Sequence, residues 1–333
     1  MKKMAQIALK LGGALLAGLF ALPGFGETML PGPLVDAAWL KQHLNEVTVL
    51  DVRDDLKTFT TEPEFETDPK TGQKKLISVG GRIEGTLPVD FNKIRTDREI
   101  GGVKISKMLP SKAEFQEIMQ AAGLIKGKPI VIASTGDDAG QIEEATRLYW
   151  SLKVYGEDQI AILDGGVAAW LASGYPVTTV TAAVPRGDWE ATDIRTDLIA
   201  EMADVETAHQ KKIQLIDARP LPQYLGLSFK KPTVLAGGHI AGAKNYPTDV
   251  RFKPAGLAYM FLSPDEYRAV MQAQGIDPNA ASIAYCNTGH MASGLWFIQS
   301  EILGNRKVRL YDGSMHEWTT RGKPVVGITT PRI

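Results

Sequence analysis

The sequence predicts an α/β protein built of two related domains in tandem, each a parallel sheet flanked by helices on both faces. Three observations lead there: an internal repeat along most of the chain, short β-branched runs alternating with helical patterns, and a length of 333 residues that suits about two domains. Hydrophobic residues make up 44% and charged residues 23%, which excludes disordered and fibrous classes. Lys+Arg number 37 against 38 for Asp+Glu, so no global field gathers nucleic acid or coats an anionic membrane. Any anion site must be local. A single cysteine permits neither an intramolecular disulfide nor a four-thiolate metal site.

Residues 1–26 follow different rules from the rest. Lys2 and Lys3 precede an apolar run over 11–22, which breaks at Pro23 and ends in Gly24-Phe25-Gly26. This is the pattern of a secretory signal peptide, and its competitor is a retained anchor, since residues 7–22 approach the length of a short span. Cleavage near Gly26 is expected, with the mature protein working in a prokaryotic periplasm and making no stable membrane association.

The repeat can be followed element by element. Val49-Leu50-Asp51-Val52-Arg53 recurs as Leu215-Ile216-Asp217-Ala218-Arg219, each an apolar strand ending in Asp-x-Arg. Gly81-Arg82-Ile83 recurs as Gly238-His239-Ile240. Ser111 and Ser263 each open a helix as an N-cap serine with glutamate three positions on, and the helices stop near Gly123 and Gly275. Their inward faces, Phe115, Ile118, Met119 and Ala122 in one and Tyr267, Val270, Met271 and Gln274 in the other, are expected to be core. The strand at Ile130-Val131-Ile132-Ala133 matches Ser282-Ile283-Ala284-Tyr285, and Asp164-Gly165-Gly166 with Trp170 matches Asp312-Gly313-Ser314 with Trp318. The copies occupy residues 32–178 and 190–328. They are joined by a linker at 179–189 containing Pro185 and Gly187, and the first copy carries a polar insertion over 58–75.

Open parallel sheets bind ligands beyond the carboxyl ends of their strands, so the segment after Tyr285 matters most. There Cys286-Asn287-Thr288-Gly289-His290-Met291 leads from strand to helix. A tight strand-to-helix loop turns successive amides inward and adds the positive end of the helix dipole, which favours anions, a thiolate nucleophile among them. A purely structural cysteine belongs inside the apolar strand; this one sits at its exit, before polar residues and a glycine.

Asp217-x-Arg219, Gly238-His239-Ile240, the Cys286 loop and Asp312-Gly313-Ser314 followed by Glu317-Trp318 together resemble the rhodanese family of sulfurtransferases. The tandem order, with the cysteine loop in the second copy, resembles the two-domain thiosulfate and 3-mercaptopyruvate sulfurtransferases. The resemblance implies two tandem rhodanese-like domains and a ping-pong transfer. Cys286 would take a sulfane sulfur from a small anionic donor, hold it as a persulfide wrapped by Asn287, Thr288, Gly289, His290 and Met291, and pass it to a thiol, cyanide or a protein acceptor. No second cysteine is present to resolve the persulfide, so the acceptor comes from outside the chain. Three departures from the family pattern stand out: Asn287 and Thr288 where thiosulfate enzymes carry basic residues, Met291 where arginine or threonine is more usual, and Gln223 where related enzymes place a substrate-binding arginine. His290, if protonated, could compensate for the weakened grip on dianions.

The first copy carries Ser134-Thr135-Gly136-Asp137-Asp138 in the equivalent loop, where serine lacks the sulfur and the aspartates would repel an anionic donor. It is expected to wall one side of the cleft. No Gly-x-Ser-x-Gly elbow supports a serine hydrolase. Asp217 with Arg219, like Asp51 with Arg53, is expected to be a structural ion pair supporting the site, and His239 to satisfy a backbone hydrogen bond. Cys286 and His290 lack further metal ligands nearby in sequence, so no metal and no cofactor are expected. A non-turnover sulfur carrier or binding module using Cys286 is the principal alternative. A cysteine phosphatase or arsenate reductase is disfavoured by Ala292 standing where its arginine would be.

Overall fold

The structure, a computed structural model, describes residues 30–328; the expected signal segment lies outside them. In the first half, five parallel strands lie in the spatial order Leu34–Val35, Ile160–Leu163, Ile130–Ala133, Thr48–Arg53 and Leu87–Asp90. In the second half the order is Ile199–Ala200, Val308–Tyr311, Ser282–Tyr285, Gln214–Asp217 and Lys244–Asn245. The two orders correspond strand for strand, so the sequence repeat is a repeat of topology.

Side chains alternate across each sheet, and the two faces join different cores. In the first half Leu50, Val52, Ile130, Ile132 and Ile162 face inward against the helices Lys112–Ala121 and Ala139–Val154. Val49, Val131, Ala133 and Leu163 face outward beneath Ala37–His43 and Gly166–Ala172. The second half repeats this, with Ile216, Ala284 and Leu310 inward and Leu215, Ile283 and Tyr311 outward under Val205 and Trp318. Both inward faces belong to one continuous core. The molecule is therefore layered helix, sheet, shared helices, sheet, helix, with Ala139–Val154 packed on His290–Phe297 at the centre. Both expected N-caps form full capping boxes, Ser111 with Glu114 and Ser263 with Glu266. Both helices are followed by glycines in the left-handed region, Gly123 and Gly275.

The polar insertion contributes to an exposed hairpin, Glu64–Thr67 with Lys74–Ser78. Two further hairpins, not foreseen from sequence, cross the junction in opposite directions. The hairpin Thr96–Ile100 with Val103–Met108 leads into Leu109, whose N–H donates to Asp312 Oδ2 of the second half at 2.6 Å. The hairpin Phe252–Ala255 with Ala258–Phe261 returns the exchange, with the Phe261 N–H donating to Asp164 Oδ1 of the first half at 3.0 Å. The linker hugs the first half, where Arg186 pairs with Glu117 and the Gly187 N–H donates to the Gln120 carbonyl.

Buried charges pin the junction. Arg147 Nη1 meets Asp312 Oδ1 at 2.5 Å, Arg251 Nη1 meets Glu143 Oε1 at 2.5 Å, and the hydroxyls of Thr146 and Ser293 lie 2.9 Å apart. Removing one partner of such a pair strands the other charge without solvent. Arg147→Met is therefore expected to lower the unfolding free energy by ~3–5 kcal/mol, read by urea denaturation. Glu144, buried on the same helix, has no such cation bonded to it; burial, with repulsion from Asp54, pushes its carboxyl up to about 9. The folded chain keeps a proton that the unfolded chain releases above 4.5, so this contribution is full at acid pH and is lost as pH rises towards about 9. Glu144→Gln, which mimics the protonated form, should flatten the fall of stability over that window; an unchanged slope would refute the assignment.

Candidate active site

The strand Ser282–Tyr285 delivers Cys286 with the same parity as Ala284, so its thiol turns into the shared core and is 1% exposed. It lies deeper than a strand-exit position suggests, because the junction closes over it. The loop turns at Gly289, φ 74°, before the helix His290–Phe297. A Cβ there would lie 2.2 Å from Asp312 Oδ1 and 2.6 Å from Arg147 Nη1, so both the backbone conformation and the packing require glycine.

The loop is held from below by the helix Ser314–Thr320. The Met315 N–H donates to the Cys286 carbonyl and the His316 N–H to that of Asn287, each at 3.0 Å. Ser314 Oγ accepts from the Cys286 N–H at 3.1 Å and the Gly289 N–H at 3.2 Å, while donating to the Tyr311 carbonyl. Ser314 does this at φ 50°, in the left-handed region where a non-glycine residue is strained. The first half matches the frame: the Val167 and Ala168 N–H groups donate to the carbonyls of Ser134 and Thr135, and Gly166 takes the strained position at φ 57°. Ser134 thus occupies the place of Cys286. With Cys286 and Gly289 bonded to Ser314, the amides of Asn287, Thr288, His290 and Met291 have no acceptor among the described residues.

The expected site residues are brought together, but with different jobs. Asn287 and Thr288 are buried, and Asn287 Nδ2 donates to Gln223 Oε1 at 2.9 Å while its Oδ1 has no partner. Two side-chain expectations are corrected. Met291 packs its side chain on the shared core and offers only backbone, its carbonyl accepting from Arg251. His290 packs at a tilt against Phe91 of the first half, ring centroids 4.6 Å apart, and burial, helped by Arg95 and Arg147, holds its imidazole well below the usual value. It is neutral at physiological pH and cannot be the compensating cation. Asp217 and Arg219 form a fully buried pair at 2.6 Å, and Arg219 also donates to the Gly238 carbonyl at 2.7 Å; Arg53 makes the same bonds to Asp51 and Gly81. They brace the strand ends. His239 Nδ1 sits 2.8 Å from the Tyr224 carbonyl.

Sequence reasoning missed the cations around the loop, because they come from elsewhere in the chain. Arg147 donates to the Gly289 carbonyl at 3.3 Å as well as binding Asp312. Arg95 lies over the Phe91 ring at 4.0 Å, and although burial lowers it to about 10 it stays charged at neutral pH. No local motif marks either residue; only the capped helix that carries Arg147 could be read. Among the described residues no group of three or more His, Cys, Asp or Glu could hold a metal ion.

Ser314 provides a direct check on the loop frame. Ser314→Ala keeps the left-handed strain and leaves the Cys286 and Gly289 amides unpaired, whereas Ser314→Gly loses the same bonds but relieves the strain. Both should be less stable than the parent in urea, with the alanine variant below the glycine variant by about 1 kcal/mol.

The Rhodanese-like domain family matches this chain over residues 36–173 and 202–321. A thiosulfate sulfurtransferase from Bos taurus is 32% identical over 218 residues, covering 65% of this chain and 71% of that protein. A 3-mercaptopyruvate sulfurtransferase from Escherichia coli is 26% identical, covering 86% of this chain and 95% of that protein. The solved structure of a 3-mercaptopyruvate sulfotransferase from Escherichia coli aligns with a TM-score of 0.67 at 23% identity, covering 85% of this chain and 98% of that one. One matched segment lies within each half of the repeat, and the chain belongs to the rhodanese family.

Proposed function

We propose that this protein is a sulfurtransferase working through a persulfide on Cys286. The observation that carries the proposal is the loop itself: a lone thiol at a strand exit, followed by four amides free to stabilise negative charge. The names of the relatives support the same chemistry. The Cys286 thiolate attacks the outer sulfur of the donor. With thiosulfate, the S–S bond breaks, its electron pair leaves with sulfite, and Cys286 keeps the sulfur as a persulfide. An acceptor then attacks the terminal sulfur and the Cys286 thiolate leaves, which closes the cycle without net oxidation. Cyanide would leave as thiocyanate, and a small thiol or a protein thiol as its own persulfide. The sequence holds no other cysteine, so the persulfide cannot collapse to an internal disulfide.

The first half takes no sulfur in this scheme, since Ser134 replaces the nucleophile and the crossing hairpin of the second half lies over its loop, with the Tyr259 N–H bonded to the Gly136 carbonyl at 2.9 Å. Action outside the cytoplasm is part of the proposal, supported by the Lys2-Lys3 start and apolar run of residues 1–26. Intact-mass measurement after incubation with thiosulfate, and separately with mercaptopyruvate, should show a gain of one sulfur atom by the parent protein and none by Cys286→Ser. A gain retained by the variant would move the chemistry off Cys286; a persulfide that forms only from another protein, without sulfite or pyruvate release, would make the chain a carrier.

A further inference from the structure

We infer that the anion of the sulfur donor is recognised largely by the cysteine-free half: Arg95 and Lys107, joined by Lys230 of the second half, form the subsite for a doubly charged donor of the thiosulfate type. The inference rests on the sulfur-transfer proposal and adds what selects the donor. The loop itself carries no cation, since residues 287–289 are neutral and His290 is held uncharged. Gln223, hydrogen-bonded to Asn287, supplies none either.

The missing charge arrives across the junction. Arg95 sits over the Phe91 ring at 4.0 Å, and that ring packs at a tilt against His290 of the cysteine loop at 4.6 Å, so two ring contacts tie the guanidinium to the site. Lys107 belongs to the hairpin that crosses to the second half. It is fixed between the Ser106 N–H, 3.3 Å from His316 Nδ1, and the Leu109 N–H on Asp312, and it holds the strained φ of 66°. Lys230 comes from the segment after the helix Leu221–Tyr224. The side chains of Arg95, Lys107 and Lys230 have no hydrogen-bond or ion-pair partner among the described residues, and Arg95 Nε is buried without an acceptor. Their charges are coupled electrostatically: Arg95 and Lys230 both disfavour the charge on Lys107, and Cys286 favours that on Arg95. Nearby carboxyls do not neutralise them: Asp312 is taken by Arg147, Asp97 by Lys104 at 2.8 Å, and Glu144 is protonated at neutral pH. Unpaired cations that repel one another at the edge of the cysteine loop are unfavourable unless an anion completes them. A dianion gains more there than a monoanion, which is the basis for choosing thiosulfate over a mercapto acid.

The test separates binding from turnover. In a Cys286→Ser background, which cannot form the persulfide, thiosulfate binding is measured by calorimetry with and without Arg95→Gln. Loss of a charge-assisted bond should weaken it about tenfold to a hundredfold. Monoanionic mercaptopyruvate should weaken markedly less, and Arg95→Lys should recover most of the affinity. The pair Lys107→Gln and Lys230→Gln, at the rim of the site, should weaken thiosulfate binding and reduce its salt dependence, which keeps the test open if Arg95→Gln does not fold. Thiosulfate affinity within about twofold of the parent background in folded Arg95→Gln, or equal weakening of both donors, overturns the inference. Arg95-dependent binding with no sulfur gained by the parent protein would leave the subsite standing and remove the transfer proposal instead.

Discussion

Arg147 is the interaction on which the rest of the structure depends. Its guanidinium, fully buried, leaves the central helix of the first half to bind Asp312 and the Gly289 carbonyl of the second. Asp312 in turn accepts the Leu109 N–H of the crossing hairpin, so one carboxylate joins a helix, a hairpin and the turn of the cysteine loop. Charges removed from water this completely hold only if every partner stays in place, and the cysteine loop is therefore shaped by a residue far from it in sequence. The continuous core beneath carries the same message: the halves do not own separate interiors.

Duplication explains the frame, and small substitutions explain how the two loops differ. Ser134 and Cys286 occupy the same strand exit, under the same pair of backbone bonds from the following helix. Where the first half relaxes at Gly166, the second accepts strain at Ser314 and gains a hydroxyl that gathers two loop amides. Strain of this kind is tolerated where the surrounding structure determines it, and here the return is a loop whose remaining amides are free. The crossing hairpins diverge similarly. Two positions before the pinned amide stands Tyr259 on one side, bonded through its N–H to the Gly136 carbonyl, and Lys107 on the other.

Much of this was legible in the residues. The repeat of Asp-x-Arg, of the capping boxes at Ser111 and Ser263, and of the Asp-Gly turns located both sheets and set Cys286 at a strand exit, because these signals are local and recur at matched intervals. The buried pair of Asp217 and Arg219 was likewise readable as a brace. His290 was not readable. An imidazole at a loop-helix boundary can be a cation in water or a neutral ring in a core, and only the arrival of Phe91, Arg95 and Arg147 decides between them.

The sequence by itself determined the duplicated fold, the position of the single cysteine and its absence from the first copy, since periodicity, caps and residue identity act over a few neighbouring positions. Tertiary structure alone decided the charge around that cysteine. Arg147 of the first half bonds the Gly289 carbonyl, and Arg95 reaches the loop through the Phe91 ring that packs on His290. Electrostatics depends on distance through space, which no spacing along the chain reveals until the two sheets have closed on their common core.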